Sequence, residues 1–264
     1  MTPRKESLAP WSISKGKVAH NCTLRFNLKY VEKAEKQKVE ASAGRIGAAA
    51  HVFVEECLKG VDYKKAYKKA VMSQVLTREE TLELATFKNA SLDFVDRFTK
   101  WRENMGVSES DFFIEKEVAF DRNKNESEYW GDNTFFRGKW DVGAIVRQNN
   151  RMYVVILDHK SGQPKEDLGR YRNQLWSYIA SAYVMFPQMA GAQTAIHWMK
   201  EEDRSNAIAW GPMVSADNIE EKVMPWFWDY FEEAEEKGVS DPVPSEGWYC
   251  DYCEYKYRCP LFKE

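Results

Sequence analysis

Along the 264 residues, the spacing of apolar positions changes twice, leaving helical flanks around a strand-rich middle. Over 14–30, Val18, Cys22, Phe26 and Tyr30 recur every fourth residue, the spacing of one helical face. Over 41–58 small residues lead (Gly44, Gly47, Ala48, Ala49, Ala50), and His51, Val54, Glu55 and Leu58 follow at helical intervals. Thr77, ahead of Glu79 and Glu80, reads as the N-cap of a long helix reaching about residue 104. Leu82, Phe87, Leu92, Phe94, Phe98 and Trp101 supply its apolar contacts.

The middle follows another period. Strands are expected at 112–120, 138–147 and 151–158, the last two joined by a turn at Gln148, Asn149 and Asn150. The run Met152-Tyr153-Val154-Val155-Ile156-Leu157 is continuously apolar, as expected of a strand buried on both faces. Helix returns over 168–186, strands over 194–199 and 207–214, and an amphipathic helix over 218–237. This order predicts an α/β (or α+β) core sheet with helices packed around it. One domain, 1–264, is expected: a helical part at 12–105, a core at 110–215, and a helix with a cysteine tail at 216–264.

A hydrophobic share of 44% is ample for a core, and the net charge of −3 advertises no global positive field. The charge is uneven. The first forty residues hold nine Lys/Arg, Arg4, Lys5 and Lys38 among them, against four Glu, while 201–240 hold eleven acids against three bases. These read either as solvated faces or, for the basic segment, as a contact for a phosphate backbone. Neither a signal-peptide pattern nor an 18-residue apolar run is visible, so a cytoplasmic protein is expected. In that reducing compartment the five cysteines read as thiols or metal ligands rather than disulfides.

Asp141 and the triplet Asp158-His159-Lys160 carry the candidate chemistry. Both aspartates fall at strand ends beside the expected hairpin, where antiparallel neighbours can present two carboxylates to one cation. Hard oxygen ligands suit Mg²⁺ or Mn²⁺. Lys160, two residues past Asp158, points to the same side of the strand, where a cation steadies a charged transition state. A lone D-x-K triplet is common on surface strands; this one follows a buried strand and precedes a tight turn at Ser161-Gly162. Gln174 and Tyr178 share a helix face. Glu115 and Glu117 share a strand face by alternation. His51, taken alone, reads as a packed histidine. The many aromatics of 226–231 (Trp226, Phe227, Trp228, Tyr230, Phe231) read first as core and second as base-stacking surfaces.

Cys250, Cys253 and Cys259 form C-x₂-C-x₅-C-P, and Cys22 stands far off at the other end. Three clustered cysteines need a fourth ligand, and spacing alone leaves zinc and a [4Fe–4S] cube both open. Cys57, inside a helix, reads as a small buried hydrophobe.

Four motifs occur in order: Gly47-Ala-Ala-Ala-His51, Gly138-Lys-Trp-Asp141, Asp158-His-Lys160-Ser-Gly162 and Gln174-Leu-Trp-Ser-Tyr178. Together they resemble the RecB-like branch of the PD-(D/E)XK nucleases across about residues 12–260. The cysteine spacing is similar to the iron–sulfur members of that branch, such as CRISPR-associated adaptation nucleases and AddB-type nuclease domains. The resemblance implies a restriction-endonuclease-like mixed sheet flanked by helices, with the chain's two ends joined at a four-cysteine cluster. It implies that His51, Asp141, Asp158 and the His159 backbone carbonyl hold Mg²⁺ or Mn²⁺, with Lys160, Asp141 and Asp158 catalytic. Gln174 and Tyr178 would position DNA, Glu115 or Glu117 would match an acidic position of some relatives, and Cys22, Cys250, Cys253 and Cys259 would hold a [4Fe–4S] cluster. The activity implied is a DNA exonuclease working from single-stranded ends, 5′-to-3′, in repair, recombination or a CRISPR system. The alternatives are a catalytically weak or inactive DNA-binding and assembly subunit, or a zinc-stapled binding protein. With no G-x-x-x-x-G-K-[ST] motif, unwinding is expected from a helicase or recombination partner.

Overall fold

The computed structural model describes residues 8–37, 42–164, 168–201, 203 and 205–262. Arg4, Lys5, Lys38 and Ala41, invoked above, lie outside the described residues. In chain order the elements are α1 (Ile13–Asn21), α2 (Thr23–Phe26), α3 (Ser42–Leu58), α4 (Tyr63–Ser73), α5 (Arg78–Ala85), α6 (Lys88–Asn104), β1 (Phe112–Phe120), β2 (Phe136–Gln148), β3 (Arg151–Lys160), α7 (Arg172–Met185), β4 (Gly191–Trp198), β5 (Ile208–Trp210), β6 (Val214–Ser215), α8 (Ala216–Asn218) and α9 (Met224–Val239). The chain divides into two compact units, one of residues 41–118 and 139–221, the other of 1–40, 119–138 and 222–264. No helix among the described residues is long and apolar enough to cross a membrane.

The first of these units carries most of the sheet, whose strand order is β1-β2-β3-β4-β5, with β6 also on β4. β3 runs antiparallel to β2 and parallel to β4. The sheet is therefore mixed, and its central strand β3 is the apolar run seen in the sequence. Asn149 and Asn150 take φ of 50° and 59°, the left-handed pair that a tight two-residue hairpin demands. On one face Val142, Val155, Leu157 and Ala195 pack against Ile46, Ala50 and Phe53 of α3 and Phe94 and Phe98 of α6. α7 packs on β4, and Trp140 of β2 donates its indole N–H to Ser181 of α7 at 3.0 Å.

Two expectations are corrected here, and one helix is added. The helix expected from Thr77 onward is two helices. Thr77 does form a capping box with Glu80, but Thr86 and Phe87 bond back to Glu83 and Leu84, tightening the turn. That tightening buries Phe87 and re-aims α6. The strand expected at 207–214 splits into β5 and β6 around Pro212, which has no N–H to give a ladder. α4 went unannounced, because its buried stripe is only Ala66 and Ala70 amid lysines, with Asp62 capping it.

In the other unit, the helix expected over 14–30 breaks at Cys22, whose backbone is extended (φ −159°) and whose sulfur accepts the Arg25 N–H at 3.4 Å. One extended residue preserves the fourfold spacing, which is why the pattern hides the break. Gly16 of α1 lies against Tyr230 and Phe231 of α9, where a Cβ would come within 2.7 Å of the Tyr230 ring. Trp11, Phe26, Phe135, Phe136, Phe227 and Phe231 fill the core of this unit, so most of the α9 aromatics pack rather than face solvent.

Candidate active site

All of the expected catalytic side chains fall in the sheet-bearing unit. The paired register of β2 and β3 ends at Val142–Leu157, and Asp141 and Asp158 follow just beyond it. The His159 backbone N–H donates to Asp141 Oδ2 at 2.7 Å. From α3, His51 Nδ1 stands 3.5 Å from the same oxygen, and the ring also meets the His159 carbonyl. Gly47, one turn earlier, explains the small-residue lead of this helix. A Cβ there would lie 2.7 Å from Ser161 Oγ, so with a side chain at 47 either that hydroxyl turns away or α3 moves off the turn after Lys160.

Asp158 is 3% exposed and held from two sides. Its Oδ1 accepts from Gln174 Nε2 and from the Tyr178 hydroxyl, each at 2.7 Å, and Gln174 also donates to Tyr178 at 2.9 Å. Oδ2 is buried without a hydrogen bond and faces the Lys160 ammonium in an ion pair. Burial and the Asp158 charge push the Tyr178 hydroxyl well up, so it remains a donor. Burial, then the Asp158 charge, raises Asp141 well above the usual carboxylate range. Burial lowers His51, keeping its ring neutral and its nitrogens available.

The His159 side chain leaves β3 on the face opposite Asp158 and Lys160, and its ring meets that of His51 edge-on at 5.7 Å. Its Nδ1 lies 2.9 Å from His197 Nδ1 on β4, and Phe94 stacks on His197 with ring centroids 4.0 Å apart. Burial lowers His159 far below, and His197 to about 3, so both rings are neutral and one donates to the other. This anchor holds the peptide whose N–H meets Asp141.

Glu115 joins the site through an unusual backbone. Its φ of 53° in the middle of β1 is left-handed, rare for a residue with a Cβ, and it breaks the strand's alternation. Among the described residues, ligand atoms of His51, Glu115 and Asp141 lie within 4.8 Å of one another. Glu115 lines the cleft of 630 Å³ that holds His51, Asp141, Asp158 and Lys160. Glu117, placed on the same face by simple alternation, is exposed and does not line it. Asp158 stands outside the 4.8 Å group, its oxygens taken by α7 and Lys160. The sequence reading placed Glu55 on the helix and Lys139 in a motif without assigning either to the site; Glu55 lines the cleft and Lys139 pairs with Glu115. Spacing gave a signal for both: Glu55 is one turn past His51 and Lys139 two residues before Asp141.

The donor set fits a divalent cation. Carboxylate oxygens of Glu115 and Asp141 converge with an imidazole nitrogen of His51, and burial, then the charge of Asp158, raises Asp141, a cost that a bound cation would relieve.

Cys22, Cys250, Cys253 and Cys259 lie in the other unit. The tail returns to the N-terminal helices. The Tyr249 hydroxyl donates to the Asn21 carbonyl at 2.6 Å, Leu24 N–H to Val243 at 3.2 Å, and Arg25 and Lys29 pair with Glu254 at 2.6 and 3.0 Å. Those two cations are thus bound within the fold. Cys253 is raised by burial foremost and also senses Cys22. Among the described residues no three cysteine sulfurs lie within 4.8 Å of one another. Cys57, in the sheet-bearing unit, is half-buried, and its thiol is pushed up to about 11, chiefly by burial.

A mixed sheet whose central strand ends in Asp158 and Lys160, with Asp141 beside them on β2, is the arrangement that the motifs led one to expect. Residues 10–260 match the PD-(D/E)XK nuclease superfamily, and the chain belongs to that family. Over 188 residues, 62% of this chain, it is 26% identical to one of the polypeptides of the ATP-dependent helicase/deoxyribonuclease of Clostridium perfringens (strain SM101 / Type A). The chain spans 16% of that relative's length. Among solved structures it is similar to a Eubacterium rectale protein described as a candidate exonuclease, 13% identical at a TM-score of 0.48, covering 92% of this chain and 86% of that one. It is also similar to SSO0001, 14% identical at a TM-score of 0.36, covering 92% of this chain and 96% of that one.

Proposed function

We propose that this nuclease is a Mg²⁺- or Mn²⁺-dependent DNA exonuclease working from single-stranded ends in the 5′-to-3′ direction. One observation carries the reading: Asp141, Asp158 and Lys160 meet in one cleft with His51 and Glu115. In this reading Asp141, Asp158, His51 and the His159 carbonyl hold the cation, with Glu115 beside them. The cation's contribution is Lewis acidity, which acidifies a water and screens the scissile phosphate. Lys160 orients that water and stabilises charge building on the phosphate oxygens. Gln174 and Tyr178 fix the carboxylate of Asp158, and DNA reaches them at the cleft wall. The polarity and the single-strand preference follow from family resemblance.

In the same reading Cys22, Cys250, Cys253 and Cys259 hold a [4Fe–4S] cluster that ties the two ends of the chain. Their support is the C-x₂-C-x₅-C spacing and the folding of the tail onto Cys22's neighbours. A helicase partner would supply unwinding, in keeping with a relative that belongs to a helicase/deoxyribonuclease.

The test is cleavage of end-labelled single-stranded and duplex DNA by anaerobically purified protein with Mg²⁺ or Mn²⁺, beside Lys160→Ala. Metal-dependent loss of label from single strands is expected, reduced at least about 100-fold in the variant. The order of label loss reads the polarity. Visible absorption and iron content of the same preparation test the cluster; a colourless protein carrying zinc would refute it. Absence of cleavage by a cluster-loaded protein on every substrate would refute the enzyme and leave the assembly role in its place.

A further inference from the structure

Lys139 stands on β2 two residues before Asp141, and its ammonium is ion-paired with Glu115 Oε2. Glu115 is also the carboxylate whose ligand atom lies within 4.8 Å of those of His51 and Asp141. One side chain thus has two claimants, an internal ammonium and the cation position beside it. The backbone at Glu115 is bent into the left-handed region, and this bend separates it from Glu117. The acids nearest Lys139 besides Glu115 are Glu55 and Glu117. Glu55 already has an ion pair, to Lys59, and Glu117 is exposed to solvent. Lys139 itself is 45% exposed along its side chain, open to an arriving anion.

We propose that Lys139 is an exchangeable counter-ion. When a divalent cation binds, Glu115 passes from the Lys139 ammonium to the cation, and the released ammonium takes a phosphate of the DNA backbone. The inference rests on the metal-site reading above. Its physical content is a coupling. Before exchange the Lys139–Glu115 pair competes with metal; after exchange Lys139 needs a new anion, and DNA supplies it. Metal and DNA then favour each other's binding by the same factor, as linkage requires. A compact ammonium suits the role, because it holds a phosphate as a point charge without a fixed fork geometry. Lys139 is therefore a positioning residue for substrate, distinct from Lys160, whose partner is Asp158.

The competition has a signature of opposite signs. Removing the ammonium should tighten metal binding while weakening DNA binding, whereas general damage to the site would weaken both. The experiment measures Mn²⁺ binding to the whole chain by calorimetry or electron paramagnetic resonance, without DNA, and KM for single-stranded DNA at saturating Mn²⁺. Lys139→Gln should bind Mn²⁺ about 2- to 5-fold more tightly, the scale of a partly exposed ion pair. Its KM should rise more than its kcat falls. Lys139→Arg should restore both values toward those of the wild type. Glu115→Gln should weaken Mn²⁺ binding. Unchanged or weaker Mn²⁺ binding in Lys139→Gln, with Asp141→Asn also weakened, would overturn the exchange while sparing the metal site. A wild type that binds no Mn²⁺, or Asp141→Asn that binds as well as it, would overturn the metal site and the exchange together.

Discussion

Gly47→Ala separates the packing of this site from its chemistry. The ideal Cβ would sit 2.7 Å from Ser161 Oγ and 3.4 Å from Ser161 Cβ. Taking 3.4 Å as ordinary contact, the first distance is short by 3.4 − 2.7, about 0.7 Å. Either the hydroxyl turns away or α3 moves out. Alanine gains about 1 kcal/mol of helix propensity over glycine, and overpacking costs about 1–3 kcal/mol, so stability should fall by about 2 kcal/mol at most. Activity should suffer more. His51 lies one turn further on the same helix, 3.5 Å from Asp141 Oδ2, and a shift of a few tenths of an ångström carries it off that distance. A 1 Å misplacement costs about 100-fold, so this smaller shift should lower kcat/KM by about 3- to 10-fold. The assay pairs a thermal melt with a Mn²⁺ titration of DNA cleavage. Ser161→Gly in the same chain removes the obstructing atoms, so Gly47→Ala/Ser161→Gly should return to within about threefold of Ser161→Gly alone. A Gly47→Ala protein as active as the wild type would refute the argument. So would a double variant as impaired as the single one.

Two further perturbations act on the groups behind the site. Tyr178→Phe removes a hydrogen bond to a charged carboxylate, worth about 1.5–3 kcal/mol, and leaves Asp158 Oδ1 with Gln174 alone. The expected result is a higher Mn²⁺ concentration for half-maximal cleavage; an unchanged titration would show that Asp158 does not need the clamp. His197 is buried neutral, lowered from 6.5 to about 3. The unfolded chain therefore binds more protons between these values, and stability held above pH 6.5 is lost as pH falls toward 3. Denaturant melts of His197→Phe should show a shallower acid loss than the wild type, even though the variant starts lower because His159 loses its partner. Parallel pH curves would refute the assignment.

Much of this protein is written in local pattern. The continuous apolar run of β3 marks a strand buried on both faces, and Asn149-Asn150 marks the hairpin, because few residues accept two left-handed positions in a row. These two features place Asp141 beside Asp158 without any knowledge of the rest. Gln174 and Tyr178 share a face because a helix repeats every 3.6 residues, whatever surrounds it. Their partner, Asp158, was not legible, because it depends on how α7 packs across the sheet. The same limit applies to His51. Its place on a small-residue helix is in the sequence, but its approach to Asp141 depends on Gly47 meeting Ser161, residues 114 positions apart.

Where one residue departs from its element's period, sequence pattern misleads. Extended Cys22 breaks a helix without disturbing the fourfold spacing, and left-handed Glu115 separates two glutamates that alternation would pair. The pairing of His159 with His197 belongs to the register of β3 against β4, a parallel contact that no local signal encodes. The sequence by itself determined most of the elements, the order of the motifs and the identity of the charged groups, because these follow from short-range backbone preference and burial. Only the tertiary structure decided which carboxylate faces which cation, because ion pairs are set by distances of a few ångströms between segments far apart in the chain.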